Sequence, residues 1–307
     1  MTNIICIAGP TASGKTALAV ELAKEFDGEV VSCDSMQVYR RMDIGTAKPT
    51  EEERQGIPHH MLDVAEPDED FSVSRYCAMA GPIVGDILAR GKTAIIAGGT
   101  GLYMDSLIRG NDFAPYPATG RREELEERAD REGIQPLMDW LKDIDPDSAA
   151  RLHLSDRKRI IRALEVYLET GETITAHNLK TQAIPPKYSP LWLGLDFSQR
   201  SELYRRIDLR VDLMLEAGLI REIQALLAQG IPPKCTAMQA IGYKEFVSAL
   251  AGHGTIPEAA AQVQQSSRRY AKRQLTWFRR NDHMNWLIRD QEDILEKARR
   301  LIQETDN

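Results

Sequence analysis

The sequence predicts an α/β fold: a P-loop NTPase-like core with a parallel sheet flanked by helices, plus a helical insertion domain. Three observations predict it. Asn3-Ile4-Ile5-Cys6-Ile7-Ala8 is a strand-length apolar run leading into Gly9-Pro10-Thr11-Ala12-Ser13-Gly14-Lys15-Thr16, a G-x-x-x-x-G-K-T loop that opens a helical pattern over 16–26. Two more runs, 30–33 and 93–97, are near-continuously apolar, as strands buried on both faces are. Between 121 and 170 the chain turns charged and helical, bounded by prolines at 115 and 117 and at 185 and 186.

In chain order, the phosphate loop presents backbone N–H groups at a helix start, a cradle for a diphosphate or triphosphate. Lys15 adds a positive charge, and the Thr16 hydroxyl suits Mg²⁺. A second strand over 29–33 ends at Asp34. Residues 72–90 read as a helix with Ser72 as its cap and Gly91 as its stop. The strand at 93–97 ends at Gly98-Gly99-Thr100-Gly101. Ligands in open α/β sheets sit at the carboxyl ends of the strands, so Gly9, Asp34 and Gly98 are expected on one edge. The expected division is a core of 1–116 and 186–307 with an insertion of 117–185, the stretch 112–119 being loop. After the insertion comes a strand at 191–195, then helices over about 199–229, 236–251 and 257–280.

Several residues carry two readings at this level. Asp34 follows an apolar strand, where it is a Mg²⁺ ligand or general base, or else a turn cap. Gly98-Gly99-Thr100 either admits a close neighbour to the backbone or is a tight turn with Thr100 as helix cap. Arg206 and Arg210 share a helix face and either clamp a phosphate oxygen or lie in solvent paired with Asp208 and Asp212. The stretch 268–280 carries six cations, no anion, and Tyr270, Trp277 and Phe278. Cations with aromatics suit unpaired nucleic acid, while an amphipathic helix accounts for aromatics that pack inward.

Bulk properties fit a soluble globular chain of one large or two ordinary domains: 307 residues, 42% apolar and 28% charged. No run approaches the ~18 apolar residues of a membrane span, and the first apolar stretch is a strand, not a targeting peptide. Cys6, Cys33, Cys77 and Cys235 form no C-x-x-C pair and read as free thiols of a reducing cytoplasm. The histidines show no zinc-ligand spacing, His59-His60 included. A net charge of −7 disfavours a nucleic-acid partner, but the cations of 268–280 and of Arg157-Lys158-Arg159-Ile160-Ile161-Arg162 are segregated from the acids, which restores a polyanion as partner.

These motifs resemble one family, the tRNA dimethylallyltransferases, also called tRNA isopentenyl transferases. The phosphate loop alone is common to many enzymes. The more specific blocks are Asp34-Ser35-Met36-Gln37-Val38-Tyr39-Arg40, Met42-Asp43-Ile44-Gly45-Thr46-Ala47-Lys48-Pro49 and Gly98-Gly99-Thr100-Gly101-Leu102-Tyr103. Later come Arg162-Ala163-Leu164-Glu165-Val166, Ile241-Gly242-Tyr243-Lys244 and Lys272-Arg273-Gln274-Leu275-Thr276-Trp277-Phe278. The match spans about 3–280 and looks like the bacterial form, without the zinc-finger extension of some eukaryotic relatives.

The resemblance implies transfer of a dimethylallyl group from dimethylallyl diphosphate to N6 of adenosine 37 in tRNAs reading codons that begin with U, with Mg²⁺ as cofactor. It implies Asp34 as base, with Thr16 and Arg210 at the diphosphate held by residues 9–16. It implies tRNA contacts from Asp34, Ser35, Met36, Gln37, Thr100, Arg122, Lys158, Arg159, Arg162, Lys272, Arg273 and Trp277, mainly to the anticodon stem-loop, with no stable protein partner. ATP, the default ligand of such a loop, is then displaced by a diphosphate leaving group. The rival readings are a phosphate-loop kinase of nucleotides or small molecules, which has no use for a basic-aromatic helix, and a non-catalytic RNA-binding protein.

Overall fold

The structure is a computed structural model and describes residues 3–111 and 119–305. The loop expected at 112–119 therefore lies outside the described residues except for Thr119. Two compact units form, one from Met1–Gly110 with Lys187–Asn307, the other from Asn111–Pro186.

The first unit is built on a single parallel sheet. Its strands are β1 (Ile4–Ala8), β2 (Gly28–Ser32), β3 (His59–His60), β4 (Thr93–Gly98), β5 (Leu191–Asp196) and β6 (Met284–Ile288). They lie in the order β3-β2-β4-β1-β5-β6, every neighbouring pair parallel. Ile5 faces Ile95 on one side and Leu191 on the other, so the strand leading to the phosphate loop is central. The apolar continuity of β1 and β2 follows, because every residue of both is buried.

Helices α1 (Lys15–Glu25), α2 (Glu51–Arg54), α3 (Val73–Ala89) and α4 (Gly101–Arg109) connect the first strands. The second unit holds α5 (Arg121–Glu132), α6 (Gln135–Ile144), α7 (Pro146–Arg151), α8 (Arg157–Thr170) and α9 (Ile174–Ala183). The first unit resumes with α10 (Arg200–Glu216), α11 (Leu219–Ala228), α12 (Tyr243–Leu250), α13 (Ile256–Phe278) and α14 (Ile294–Thr305). On one face of the sheet Leu18, Leu22, Ala298 and Ile302 pack on Ile5, Ile7, Ile95 and Leu193. On the other, Tyr76, Val84, Met104, Phe246 and Phe278 pack with Cys6, Val31 and Ile96. The second unit has its own core of Leu125, Leu137, Leu141, Ile160, Ile161 and Leu164.

Helix ends follow local chemistry. Ser72 accepts from the Arg75 N–H to start α3. Thr255 and Glu258 form a reciprocal capping box at the start of α13. The helix expected over 199–229 is two helices, because Gly218 adopts φ 104° and turns the chain between α10 and α11. The helix expected from 236 is a 3-10 turn, Ala237–Gln239, and the α-helix starts only after Gly242 at φ 99°. Strands β3 and β6 were not expected. β3 is two residues long, and β6 (MNWLI) is partly exposed at the sheet edge, so neither shows the buried apolar run of the inner strands.

At the β4 exit, a Cβ on Gly98 would lie 1.9 Å from the Cys33 carbonyl oxygen. The close-approach reading of that glycine is the one the backbone requires. Gly98→Ala is expected to cost about 2–3 kcal/mol through forced backbone displacement. A urea unfolding midpoint equal to that of the unmodified chain contradicts this packing.

Candidate active site

The exits of β1, β2 and β4 carry the phosphate loop, Asp34 and Gly99-Thr100 onto one edge of the sheet. The phosphate loop is braced by side chains from distant elements. The carbonyls of Pro10, Ala12 and Ser13 accept from Lys15 Nζ (2.7 Å), Arg206 Nε (3.0 Å) and Arg289 Nη1 (3.2 Å) respectively. Gln274, buried on α13, accepts from the Thr11 N–H (2.9 Å) and donates to the Gly99 carbonyl (3.0 Å). One amide thus ties the phosphate loop to the β4 exit. Gly99 leaves room for it, since a Cβ there would sit 2.1 Å from Gln274 Nε2.

Electrostatics concentrate positive charge here. Burial, then the charge of Arg210, pulls the Lys15 ammonium down to about 8, and Asp34 opposes the shift. Burial also draws Arg210 below the ordinary guanidinium value, against the pull of Glu53 and Asp34. Arg289 is lowered by burial and by neighbouring Arg206. Arg210, half-buried, makes no ion pair among the described residues. The solvated-face reading of Arg206 and Arg210 does not hold. Asp208 pairs instead with Arg268, and Asp212 accepts from Gln264 (3.1 Å).

Asp34 turns out to be a turn cap with one carboxylate oxygen to spare, and it is half-buried. Its Oδ1 accepts from the N–H of Met36 (2.8 Å) and of Gln37 (3.4 Å), which leaves Oδ2 without a hydrogen-bond partner among the described residues. Thr100 does not cap α4. Its hydroxyl instead accepts from the Ser35 N–H (3.0 Å) and approaches the Ser35 hydroxyl (3.4 Å). Gln37 is engaged on all sides: its amide nitrogen donates to the carbonyls of Thr46 (3.3 Å) and Ala47 (3.1 Å), and its oxygen accepts from Ser32 (3.0 Å). The Thr16 hydroxyl has no partner among the described residues.

The α13 stretch divides its residues. Phe278 and Leu275 are buried, as the amphipathic reading expects. Trp277 lies against Gly101 and donates to Asp105 Oδ2 (2.8 Å), so its indole is committed to α4. Tyr270, half-buried one turn before Gln274, is pushed up to about 12 by burial and by the Asp34 charge, and it contacts Thr100. Arg268 and Arg279 pair with Asp208 and Asp196. Arg269, Lys272, Arg273 and Arg280 are exposed and have no carboxylate partner among the described residues. Within the second unit, Arg122 and Arg162 both donate to Glu165 (2.8 Å each), while Lys158 and Arg159 are exposed on α8.

Sequence reasoning missed Gln274 and Arg289 as supports of the loop, and Tyr270 beside Asp34. Gln274 had a signal, a polar residue on the apolar face of α13 between Ala271 and Leu275. Arg289 had none, since it follows the unrecognised strand β6.

Fold and site together define an enzyme of the α/β class with a phosphate-loop motif and a carboxylate on the same edge of a parallel sheet. The IPP transferase family model matches residues 37–281, and the isopentenyl transferase model matches residues 2–67. The chain is 45% identical to the tRNA dimethylallyltransferase of Acetivibrio thermocellus over 298 residues, covering 97% of this chain and 95% of the relative. It is 46% identical to that of a Thermoanaerobacter species, covering 98% and 96%. Among solved structures it is similar to the tRNA isopentenylpyrophosphate transferase of Bacillus halodurans (TM-score 0.73, 42% identity, 100% and 99% covered). A eukaryotic dimethylallyltransferase acting on tRNA is also similar (TM-score 0.83, 30% identity, 100% and 79% covered). The chain belongs to the IPP transferase family.

The depressed Lys15 makes anion binding depend on pH with a definite sign. If the protonated amine holds a phosphate, its contribution to diphosphate affinity is full below about pH 7 and is lost as pH rises through about 8, on top of the ligand's own ionisation. Isothermal titration of inorganic diphosphate between pH 6 and 9.5 checks it. Lys15→Met is expected to leave only the ligand's own pH dependence, and a profile identical to that of the unmodified chain would assign the extra fall elsewhere.

Proposed function

We propose that this chain transfers the dimethylallyl group of dimethylallyl diphosphate to N6 of adenosine 37 in tRNAs reading codons that begin with U, releasing diphosphate. The observation that carries the reading is the pairing of a braced, cation-rich phosphate loop with the free Oδ2 of Asp34 on the same sheet edge. The names of the relatives support it, as tRNA dimethylallyltransferases and tRNA isopentenylpyrophosphate transferases.

An allylic C–O bond breaks readily when the departing negative charge is stabilised. The loop N–H groups, Lys15 and Arg210 are suited to that task, and relief of their mutual repulsion adds to it. As the C–N bond forms, the exocyclic amine must lose a proton, and Asp34 Oδ2 is the acceptor we assign. Thr100, fixed by the Ser35 N–H, borders the same space. The residues fit Mg²⁺ in one way only. Thr16 offers one unpartnered hydroxyl, and no cluster of three or more His, Cys, Asp or Glu exists among the described residues to form a protein cage. Such a site suits an ion that keeps waters and takes substrate phosphate oxygens. When bound, Mg²⁺ would add to the charge neutralisation of the leaving group.

The target base must leave the anticodon-loop stack to reach this edge. We assign tRNA backbone contacts to Lys272 and Arg273 on α13 and to Arg122, Lys158, Arg159 and Arg162 in the second unit, with Ser35, Met36 and Gln37 lining the nucleotide side. Trp277 would act on tRNA indirectly, by fixing α13 on α4. Gln37, with its amide already bonded, would shape the pocket with its body rather than read a base edge. We assign the enzyme to the cytoplasm on the ground of its proposed substrate, tRNA; separately, no helix among the described residues is long and apolar enough to cross a membrane.

Asp34→Ala is expected to bind tRNA within about threefold of the unmodified chain while turnover falls by about 10²–10⁴. Filter binding beside a single-turnover prenylation assay separates the two, and unchanged turnover removes Asp34 from its role. tRNA affinity should also fall steeply between about 50 and 200 mM salt, by tenfold or more, because the contacts are to phosphate. A flat salt response would reject the basic surfaces.

A further inference from the structure

The segment Met42-Asp43-Ile44-Gly45-Thr46-Ala47-Lys48 has no substrate role in the account above, yet it is held by one side chain distant in sequence. Glu222 on α11 accepts from the N–H groups of Asp43 (2.8 Å), Ile44 (2.8 Å) and Gly45 (3.2 Å). The hydroxyl of Tyr243, first residue of α12, donates to the same carboxylate (2.6 Å). Burial and the Glu222 charge raise the Tyr243 pKa, so the hydroxyl stays a donor. Three successive backbone N–H groups converging on one carboxylate form an anion nest. The nest requires a glycine at its end, because a Cβ on Gly45 would lie 2.5 Å from the Tyr243 ring. Lys48, buried, closes the far end of the segment on the Tyr39 carbonyl (2.8 Å) and on Asp43 and Asp63 (2.6 Å each).

The segment in turn holds Gln37. The carbonyls of Thr46 and Ala47, next to the nest, accept from Gln37 Nε2, and Ser32 donates to Gln37 Oε1. With its side chain fixed at both ends, Gln37 presents its own N–H to Asp34 Oδ1 beside that of Met36. Those two bonds decide which carboxylate oxygen of Asp34 is occupied. Hydrogen bonds joined by the short backbone of residues 43–47 therefore link Glu222 through Gln37 to Asp34, all within the first unit.

We propose that Glu222, with Tyr243, is a positioning residue for Asp34, holding residues 43–47 in the one shape that fixes Gln37 and leaves Asp34 Oδ2 facing the substrate. The inference rests on the reading of Asp34 as the proton acceptor. A loop required only for stability has no need of a half-buried carboxylate that accepts from four donors. Such a network specifies one backbone geometry. Tyr243 and Gly45 are also explained, as the donor that completes the carboxylate and the residue that lets it approach.

A double-mutant cycle tests the proposal on the full chain. Glu222→Ala is expected to lower kcat by about 10–100-fold at saturating tRNA and dimethylallyl diphosphate, with the Kd for inorganic diphosphate within about twofold, since the phosphate loop is braced elsewhere. Glu222→Gln, which keeps an acceptor oxygen, should recover part of the loss. In an Asp34→Asn background the further effect of Glu222→Ala should shrink below about twofold, because the two residues act as one unit. Losses that multiply in full, or a Glu222→Ala enzyme with the kcat of the unmodified chain, overturn the proposal. Asp34→Asn with undiminished kcat is a different pattern, and it overturns the assignment of Asp34 and the proposal with it. If Glu222→Ala fails to fold, Tyr243→Phe takes its place in the same cycle. It removes one donor, and its expected threefold loss of kcat, roughly one hydrogen bond's worth, should likewise vanish in the Asp34→Asn background. No loss, or a loss that persists there, overturns the proposal.

Discussion

The site depends on fixing the phosphate loop before any anion arrives. A loop of this kind binds through its N–H groups, so its carbonyls must point away and be satisfied elsewhere. Lys15, Arg206 and Arg289 take the carbonyls of Pro10, Ala12 and Ser13, and Gln274 takes the Thr11 N–H. The same Gln274 amide reaches the Gly99 carbonyl, so the loop and the β4 exit cannot move independently without breaking a buried bond. The bracing brings positive groups together in a partly buried space. Burial first, and positive neighbours second, hold Lys15, Arg210 and Arg289 below their ordinary pKa values, and a polyanion bound there would relieve the conflict.

α13 serves both sides of this arrangement. Its inner face carries Gln274 onto the loop and Trp277 onto Asp105, while Lys272 and Arg273 stay in solvent. The charge excess of this helix is smaller than its sequence implies, because Arg268 and Arg279 are neutralised by Asp208 and Asp196 from neighbouring elements. The aromatics likewise turn inward. The exposed face that we propose for RNA is then mainly cationic, as contacts to phosphate require.

The inner strands, the phosphate loop and Asp34 were legible because they obey strong local rules: unbroken apolar runs, fixed glycine spacing and polar residues at strand exits. The edge strand β6 was not, since a half-buried strand interrupted by Asn285 lacks such a run, and Arg289 was lost with it. The break at Gly218 was a glycine within a helical pattern, where the sequence alone does not separate a tolerated residue from a turn. Pairings across the fold were the least legible. Nothing near Glu222 marks it as the partner of residues 43–45, and nothing near Asp208 marks Arg268 over Arg206, because those choices are made by tertiary packing.

The central claim is that the phosphate loop holds a leaving group and not an energy source. Mass spectrometry of nucleosides from tRNA incubated with this enzyme and dimethylallyl diphosphate tests it most directly. The account predicts a dimethylallyl increment on adenosine 37, one diphosphate released per modified base, and no dependence on ATP. Unmodified tRNA together with phosphoryl transfer from ATP would contradict it.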